Sequence, residues 1–241
     1  MNRIKALVFD YGGTLDTGGS HWGNVLWHAY ERQHIPISKD DFRSAYSNVE
    51  RLLGREHIIQ ADFTFRQTLE TKVGLQMQQL GISISNSLAN IVVDDVYRQT
   101  RHHTSHSVQV LKQLYTHYPL LLVSNFYGNL QVVLREFGFN GLFQRVVESA
   151  AVGIRKPDVR IFQLAIGPYG VHPDEVVVIG DSVKNDILPA LQMGCHTIWY
   201  KGEQWGDDAS VQMLPSSQTS MSERVSDAVI TDLSALPHLL L

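Results

Sequence analysis

The chain has 241 residues, of which 44% are hydrophobic and 18% charged, which is typical of a globular protein and argues against a disordered chain. The formal net charge is −4, so no basic surplus is present to neutralise phosphates, and we expect no nucleic-acid partner. The single cysteine, Cys195, excludes an internal disulfide and a cysteine-rich zinc site.

The first predicted element is a strand at residues 6–9, where the apolar run ALVF is closed at once by Asp10. This run is too short to be the apolar part of a signal peptide. No stretch elsewhere approaches the length needed to cross a bilayer. We therefore expect a soluble, cytoplasmic protein without a membrane partner.

Further short apolar runs follow along the chain, and they lack the polar alternation of a half-exposed strand. Unbroken runs are typical of strands that are buried on both faces of a parallel sheet. Helical patterns lie between the runs, as at Val108, Leu111 and Leu114. This alternation implies crossover connections, and it predicts an α/β protein with a Rossmann-like, doubly wound parallel sheet. The further runs are residues 120–123, 176–179, 197–200 and 228–230.

The segment from residue 17 to residue 105 breaks this alternation, because it shows only helical periodicity. We therefore predict that residues 17–105 form a helical cap above a core made of residues 1–16 and 106–241. Three apolar stripes at helical spacing support the prediction. They are Trp22, Val25, Leu26, Ala29 and Tyr30; Leu69, Val73, Met77 and Leu80; and Leu88, Ile91, Val92 and Val96.

Two features are predicted in the C-terminal part of the core. Pro189 is tolerated in the first turn of a helix, and Gly194 is a natural end for the same helix. From Gly202 to Asp227 there are few apolar residues, and six serines lie between Ser210 and Ser226. This composition predicts a long surface loop.

Polar residues follow the predicted strands at the points where the strands end, and ligands of parallel sheets bind beyond these carboxyl ends. Two carboxylates there can share a hard cation such as Mg²⁺, which prefers oxygen ligands and leaves room for a substrate phosphate. A hydroxyl group and a lysine nearby would complete an anion-binding site. The residues concerned are Asp10, Gly12, Gly13 and Thr14; Ser124 and Asn125; Lys156; and Asp181 and Asp186.

These residues, in this order, resemble the signature of the haloacid dehalogenase-like hydrolase superfamily. That signature is Asp-x-Asp-x-Thr after the first strand, Ser or Thr after the second, then a Lys, and then a pair of acids. Here the matching positions are Asp10 to Thr14, Ser124, Lys156 and the segment from Asp181 to Asp186. The resemblance spans nearly the whole chain, and the helical insertion resembles the C1-type cap of the family.

The resemblance implies a Mg²⁺-dependent phosphatase that acts on a small phosphorylated metabolite. Asp10 would be the nucleophile that attacks phosphorus and forms an aspartyl-phosphate. The Mg²⁺ ion would be held by Asp10, the backbone carbonyl of Gly12, Asp181 and Asp186.

The same resemblance implies the residues that contact the phosphate. Thr14, Ser124 and Asn125 would bind the phosphoryl oxygens, and Lys156 would offset the charge between the phosphate and Asp10. Phosphoryl transfer requires mainly positioning and charge stabilisation, and such residues supply both.

One position departs from the signature. The second aspartate of the first motif is the general acid and base of the family, and this chain has Gly12 there. General acid–base catalysis is typically worth about 10²–10⁴-fold. We therefore expect a slow or restricted phosphatase unless another group substitutes, and the candidates are Asp16 and His21.

Two alternatives follow from the glycine at position 12. Haloacid dehalogenases carry a non-acidic residue there, attack carbon and need no metal, and Ser124 with Asn125 resembles their second motif. They lack the acid found here at Asp181. A binding or regulatory protein on a hydrolase scaffold is the second alternative.

Phosphonatases also lack the second acid, but they require a Schiff-base lysine in the cap. The predicted cap contains Lys39 and Lys72, and neither lies near its start. The sequence does not indicate the oligomeric state.

Three closely spaced histidines invite a metal site, but no acid or cysteine lies near them at ligand spacing. We interpret His102, His103 and His106 as a solvated helix end. Cys195 follows a glycine at the start of a strand, and we interpret it as a small buried hydrophobic residue.

Overall fold

A six-stranded parallel sheet forms the centre of the molecule in the computed structural model, which describes residues 4–82, 86–205 and 226–241. The strand order is β3-β2-β1-β4-β5-β6, so the chain starts in the middle of the sheet and winds outward in both directions. This arrangement confirms the predicted α/β fold. The strands are β1 (Ala6–Phe9), β2 (Leu120–Ser124), β3 (Arg145–Glu148), β4 (Val176–Gly180), β5 (His196–Tyr200) and β6 (Ala228–Ile230).

Helices cover both faces of the sheet, which explains the unbroken apolar strands. Every residue of β1 is buried, with Leu7 and Phe9 in one hydrophobic cluster and Ala6 and Val8 in another. Alternate side chains of a strand point to opposite faces, so both faces of β1 lie in apolar surroundings. In the centre of the sheet, Leu7 of β1 pairs with Leu120 of β2 on one side and with Val177 of β4 on the other.

The helices of the described residues lie between or after the strands. They are α1 (Trp22–Arg32), α2 (Lys39–Arg55), α3 (Phe65–Gln79), α4 (Asn86–Tyr115), α5 (Leu130–Glu136), α6 (Ser149–Val152), α7 (Arg160–Ile166), α8 (Leu188–Met193) and α9 (Ala235–Leu240). A π-helical turn, Val183–Ile187, precedes α8, and 3₁₀ turns occur at Gly167–Tyr169 and Pro173–Glu175.

Strand β3 is missing from the sequence prediction. It contributes only Val146 and Val147 as apolar residues between Arg145 and Glu148. It pairs with β2 alone, at the edge of the sheet. An edge strand needs less apolar sequence, and a search for unbroken apolar runs therefore passes over it.

Helices α1 to α4 lie between β1 and β2, in the segment where only helical periodicity was found. The predicted stripes on α1, α3 and α4 are buried at Leu26, Val73 and Val92, whereas Ile91 of the third stripe is 47% exposed. Helix α2 was not singled out, and its Phe42 packs its ring 5.0 Å from that of Tyr30.

Helix α4 continues to Tyr115 and so crosses the predicted boundary near residue 105. No glycine or proline interrupts the sequence from residue 86 to residue 115, so nothing breaks the helix there. The division into a core of residues 1–16 and 106–241 and a cap of residues 17–105 remains a proposal.

The ends of α8 follow the predicted signals, and α3 has an N-terminal signal of its own. Pro189 lies in the first turn of α8, and Gly194 ends this helix with a φ of +90°. Helix α3 begins with a capping box, in which the side chain of Thr64 accepts from the backbone of Gln67 and the Gln67 side chain accepts from the backbone of Thr64.

The predicted loop from Gly202 to Asp227 lies mostly outside the described residues, because positions 206–225 are not described. Just before this gap, Trp205 is buried against α1 and α2, with its ring 6.1 Å from that of Phe42. Within the described ranges, no helix is both long and apolar enough to cross a membrane.

Candidate active site

The first motif begins where β1 ends. The backbone N–H of Asp10 donates to the carbonyl of Ile179 in β4, and the residue is 5% exposed. The chain then turns sharply, with Leu15 donating its N–H to the carbonyl of Tyr11 at 2.8 Å. The turn holds the Asp10 carboxylate at the carboxyl edge of the sheet, as predicted for a strand-end residue.

Gly13 is required in this turn for two reasons. Its φ of +98° is disfavoured for any L-residue with a side chain. A Cβ atom at this position would also lie 2.4 Å from both carboxylate oxygens of Asp181. The glycine therefore permits the close approach of Asp181 to the first motif.

Three buried carboxylates meet at this edge of the sheet. Oxygen atoms of Asp10, Asp181 and Asp186 all lie within 4.8 Å of one another, and among the described residues they are the group that could hold a metal ion. Asp181 follows β4 directly, and Asp186 lies on the π-helical turn, where Oδ2 accepts from the Ser182 N–H at 3.1 Å.

Lys156 places its ammonium group among these acids. Its Nζ lies 2.5 Å from Oδ1 of Asp10 and 2.6 Å from Oδ1 of Asp186, and the residue is 5% exposed. Burial alone would lower the pKa of Lys156, but the charges of Asp10 and Asp186 outweigh it and raise this pKa above its ordinary value. The lysine is therefore charged at any physiological pH.

One ammonium group does not balance three carboxylates. Burial and the charges of Asp10 and Asp186 raise the pKa of Asp181 well above its ordinary value. Burial and Asp10 also raise the pKa of Asp186, although Lys156 opposes them. The cluster therefore has an excess of negative charge in a dry environment, which a bound cation would relieve.

Two hydroxyl groups border the cluster. Thr14 is fully buried, its Oγ1 lies 3.1 Å from both Asp10 Oδ2 and Asp181 Oδ1, and it accepts the Asp181 N–H. Ser124, at the end of β2, is 1% exposed, and its Oγ has no hydrogen-bond partner in the described part of the chain. A buried hydroxyl without a partner is costly, so it indicates a place for a polar ligand.

Asn125 makes contacts that the sequence did not suggest. Its Nδ2 donates to the Lys156 carbonyl at 3.1 Å, and its Oδ1 accepts the Lys156 N–H at 2.9 Å. These two bonds fix the backbone that carries the lysine. The prediction that Asn125 binds phosphate stays a prediction, and the structure gives this side chain a positioning role.

The glycine at position 12 lies beneath the indole ring of Trp22. A Cβ atom on residue 12 would be 3.7 Å from Cδ1 and Nε1 of Trp22, which is ordinary van der Waals contact. The indole N–H donates to Oδ2 of Asp16 at 3.1 Å, and Oδ1 of Asp16 accepts from Gly13 at 2.7 Å. Burial raises the pKa of Asp16 to about 8.

A cavity of about 130 Å³ opens above Gly12, and both candidate acids, Asp16 and His21, line it. Nδ1 of His21 accepts from the N–H of Gly23 at 3.0 Å, so this nitrogen carries no proton. The histidine ring stacks on Trp205, with 6.5 Å between ring centroids.

The cavity also contains residues that the sequence analysis missed. Lys72 of α3 lines it together with Glu50 of α2 and Tyr127, which follows β2. In the sequence Lys72 is far from the start of the insertion, yet the fold brings it to the cavity above Gly12. The helical spacing contains a signal for this residue, because Lys72 lies between Leu69 and Val73 on the buried side of α3. A lysine on a buried helix face indicates a buried partner.

The interpretation of the three histidines as a solvated helix end is wrong, because His102, His103 and His106 lie inside α4, which continues to Tyr115. Among the described residues they do not belong to a group that could hold a metal ion. Cys195 is buried and free, and burial raises its pKa to about 12.

Comparisons of the sequence with known proteins give the following matches. The family model described as haloacid dehalogenase-like hydrolase matches residues 4–194. A glyceraldehyde 3-phosphate phosphatase from Pyrococcus furiosus is 36% identical over 59 residues, which cover 24% of this chain and only 25% of that protein. A phosphoglycolate phosphatase from Pasteurella multocida is 24% identical over 201 residues, or 82% of this chain and 86% of that one.

Among solved structures, that of a dehalogenase has a TM-score of 0.64 at 17% identity, covering 100% of this chain and 98% of that one. At this identity the likeness concerns the fold alone. The fold is thus shared by proteins named for different chemistries.

Proposed function

The chain belongs to the haloacid dehalogenase-like hydrolase family, and we propose that it is a Mg²⁺-dependent phosphatase of a small phosphorylated metabolite with Asp10 as its nucleophile. The observation that carries the proposal is the buried cluster of Asp10, Asp181 and Asp186 beside the ammonium of Lys156. A carbon-attacking hydrolase without a metal has no use for the additional acid at Asp181.

The donor set suits Mg²⁺. The side chains of Asp10, Asp181 and Asp186 all offer carboxylate oxygens, which are hard ligands. The raised pKa values of Asp181 and Asp186 reflect burial and the repulsion between these neighbouring acids. We assign Asp10, Asp181, Asp186 and the backbone carbonyl of Gly12 as the groups that would hold the ion. Bound there, Mg²⁺ would neutralise charge on the phosphoryl group.

The phosphate would lie against two hydroxyl groups. That of Ser124 is buried and has no partner among the described residues, so it is free to donate, whereas that of Thr14 lies between the carboxylates of Asp10 and Asp181 and donates to one of them. Lys156 holds positive charge next to Asp10 and lessens the repulsion between this carboxylate and the phosphate dianion. These contacts position the phosphorus for in-line attack.

The reaction proceeds in two displacements. An oxygen of Asp10 attacks phosphorus and the bond to the ester oxygen breaks, which gives an aspartyl-phosphate and an alcohol once the leaving oxygen has gained a proton. Water then attacks the phosphorus of the aspartyl-phosphate and gives up a proton, inorganic phosphate leaves, and the Asp10 carboxylate is restored.

We assign Asp16 as the group that donates the proton to the leaving oxygen. It lines the cavity above Gly12, and because burial raises its pKa to about 8, it is protonated at neutral pH. Trp22 and Gly13 hold its carboxyl group in place. His21 lines the same cavity and is the second candidate.

The proposal is tested by phosphate release from a broad panel of phosphomonoesters, with and without Mg²⁺, for the wild-type chain and Asp10→Asn. Mg²⁺-dependent release that disappears in Asp10→Asn is expected. Release of halide from 2-haloacids in the presence of a chelator would instead identify a dehalogenase. Binding of phosphate esters without turnover by the wild-type chain would identify a binding protein.

A further inference from the structure

The cavity above Gly12 is the space that the leaving group of a bound phosphate ester would occupy. Gly12 and Asn125 line it; Gly12 lies two residues from both Asp10 and Thr14, and Asn125 directly follows Ser124. The cavity is also lined by three polar groups from three elements: Glu50 of α2, Lys72 of α3 and Tyr127. The proposed reaction does not use any of these three.

Lys72, Glu50 and Tyr127 form a connected ionic group, which we call the cap triad. Nζ of Lys72 donates to the Tyr127 hydroxyl at 2.9 Å and lies 2.8 Å from Oε1 of Glu50. The Tyr127 hydroxyl donates in turn to Oε2 of Glu50 at 2.7 Å. The side chain of Lys72 is 7% exposed and that of Glu50 28% exposed, so the ion pair is buried on the lysine side and partly buried on the glutamate side.

The cap triad carries no net charge. Burial alone would lower the pKa of Lys72, but Glu50 outweighs it and the pKa lies above its ordinary value. The ammonium is therefore balanced by one carboxylate, and the cavity offers no surplus positive charge to an anionic leaving group.

The cap triad nevertheless has unused hydrogen-bonding capacity. An ammonium group has three N–H donors, and those of Lys72 are directed toward two partners, Tyr127 and Glu50. Oε1 of Glu50 contacts the Lys72 ammonium at 2.8 Å, and a carboxylate oxygen has a second lone pair that this ion pair does not use. One donor and one acceptor thus stand side by side.

An alcohol hydroxyl matches this pair, because it accepts through oxygen and donates through hydrogen. A carboxylate would lack the donor and would lie beside Glu50 with no free cation to balance it. An alkyl group would leave both polar groups unsatisfied, which costs binding energy.

Aromatic side chains form much of the remaining wall. Trp22, Tyr46, Phe65 and Phe126 line the cavity and give it aromatic surfaces beside the triad. Apolar walls with a few convergent polar groups favour a small ligand that has C–H surfaces and a hydroxyl group.

We propose, on the basis of the function proposed above, that the cap triad selects phosphomonoesters of uncharged, hydroxyl-bearing alcohols over esters that carry a carboxylate. Lys72 donates to the hydroxyl of the leaving group, and Glu50 accepts from it. The Tyr127 hydroxyl, which is hydrogen-bonded to both Lys72 and Glu50, holds these two side chains in position.

Three esters of similar size test the proposal. Glycerol 3-phosphate has free hydroxyl groups, 3-phosphoglycerate replaces the terminal one by a carboxylate, and propyl phosphate has neither. The expected kcat/KM of the wild-type chain is at least about tenfold higher for glycerol 3-phosphate than for either other ester, since one lost hydrogen bond of about 1.4 kcal/mol is a factor of ten. Equal values, or preference for 3-phosphoglycerate, overturn the proposal.

Variants connect the preference to the triad. Glu50→Gln and the double variant Glu50→Gln with Lys72→Met should reduce the preference for glycerol 3-phosphate over propyl phosphate by about tenfold. Lys39→Met changes the exposed lysine of the same segment and should retain the preference. The double variant removes both charges together, so it leaves no unpaired buried ion if Lys72→Met alone does not fold. An unchanged preference in these variants overturns the proposal.

A binding measurement distinguishes a failure of the triad proposal from a failure of the proposed phosphatase function. If no ester is hydrolysed, titration calorimetry of Asp10→Asn with the three esters still measures the preference. Tighter binding of glycerol 3-phosphate that Glu50→Gln weakens supports the triad even when the proposed phosphatase function fails. Indifferent binding of all three esters refutes the triad.

Discussion

The indole ring of Trp22 lies 3.7 Å from the point where a Cβ atom would stand on Gly12. The same ring donates its N–H to Asp16. The indole ring of Trp22 therefore lies next to the space that a side chain at position 12 would occupy. The acid that lines the cavity here is Asp16.

Gly12→Asp is expected to fold and to raise the rate of phosphate release. The Cβ atom fits in ordinary contact with Trp22, and a carboxyl group at this position restores the side chain that the family signature has there. General acid–base catalysis supports an increase of about 10²-fold, at the lower end of its range because the indole restricts the new side chain. Steady-state phosphate release with Mg²⁺ measures it.

Gly12→Asn is the matched control, because it adds nearly the same volume but cannot transfer a proton. It should show no increase. If the two variants have equal rates, the change acts through shape rather than through proton transfer, and the interpretation of position 12 is wrong.

Asp16 should make the folded state less stable as the pH rises. Burial raises its pKa from an ordinary 3.8 to about 8, so between these values the folded chain keeps a proton that the unfolded chain releases. The stability contribution is complete below about pH 4, falls by at most about 1.4 kcal/mol per pH unit, and is lost above about pH 8.

Asp16→Asn lacks this titration and is the reference for it. Urea unfolding of both proteins with chelator at pH 5, 6, 7 and 8 should show the free energy of unfolding of the wild type declining relative to that of Asp16→Asn. Parallel curves would mean that Asp16 is ionised in the folded state and is not the proton donor.

The sequence predicted the sheet and the strand-end residues because both follow from local patterns. Unbroken apolar runs mark central strands, and Asp10, Ser124 and Asp181 follow such runs directly. Parallel strands bring these ends together, so proximity in space follows from the fold class alone.

The cap triad could not be predicted in this way. Glu50, Lys72 and Tyr127 come from two helices and a loop, and their meeting depends on how α2 and α3 pack over the sheet. Helical periodicity defines a buried face but not which neighbour it meets. The edge strand β3 was missed for a related reason, because its burial depends on its neighbour rather than on its own composition.

Lys156→Met should destabilise the chain by about 3–5 kcal/mol in the absence of Mg²⁺, since it leaves Asp10 and Asp186 buried without their partner. The deficit should shrink as the pH falls, because protonation removes the unpaired charges. Urea unfolding at pH 5 and pH 8 measures both effects. Lys112→Met, on the exposed side of α4, should stay within about 0.5 kcal/mol of wild type. A deficit no larger than that of this control would show that the buried ion pairs contribute little.

Gly13→Ala should abolish binding of Mg²⁺ for a reason that is separate from backbone strain. Residue 13 has a φ of +98° and residue 138 a φ of +79°, so alanine at either position costs about 1–2 kcal/mol. A Cβ atom at Gly138 meets nothing within 4 Å, whereas one at Gly13 would lie 2.4 Å from the carboxylate oxygens of Asp181. Only the first variant therefore displaces a proposed metal ligand.

The rise in Tm on adding Mg²⁺ distinguishes the two effects. A ligand that binds only the folded state stabilises it by RT ln(1 + L/Kd), where L is the free ligand concentration, so at a fixed concentration tighter binding gives a larger rise in Tm. Gly138→Ala should start from a lower Tm and keep the full rise, while Gly13→Ala should start lower and show little or none. If Gly13→Ala keeps the wild-type rise, the ion does not bind at Asp181, because this carboxylate cannot stay in place beside the new methyl group.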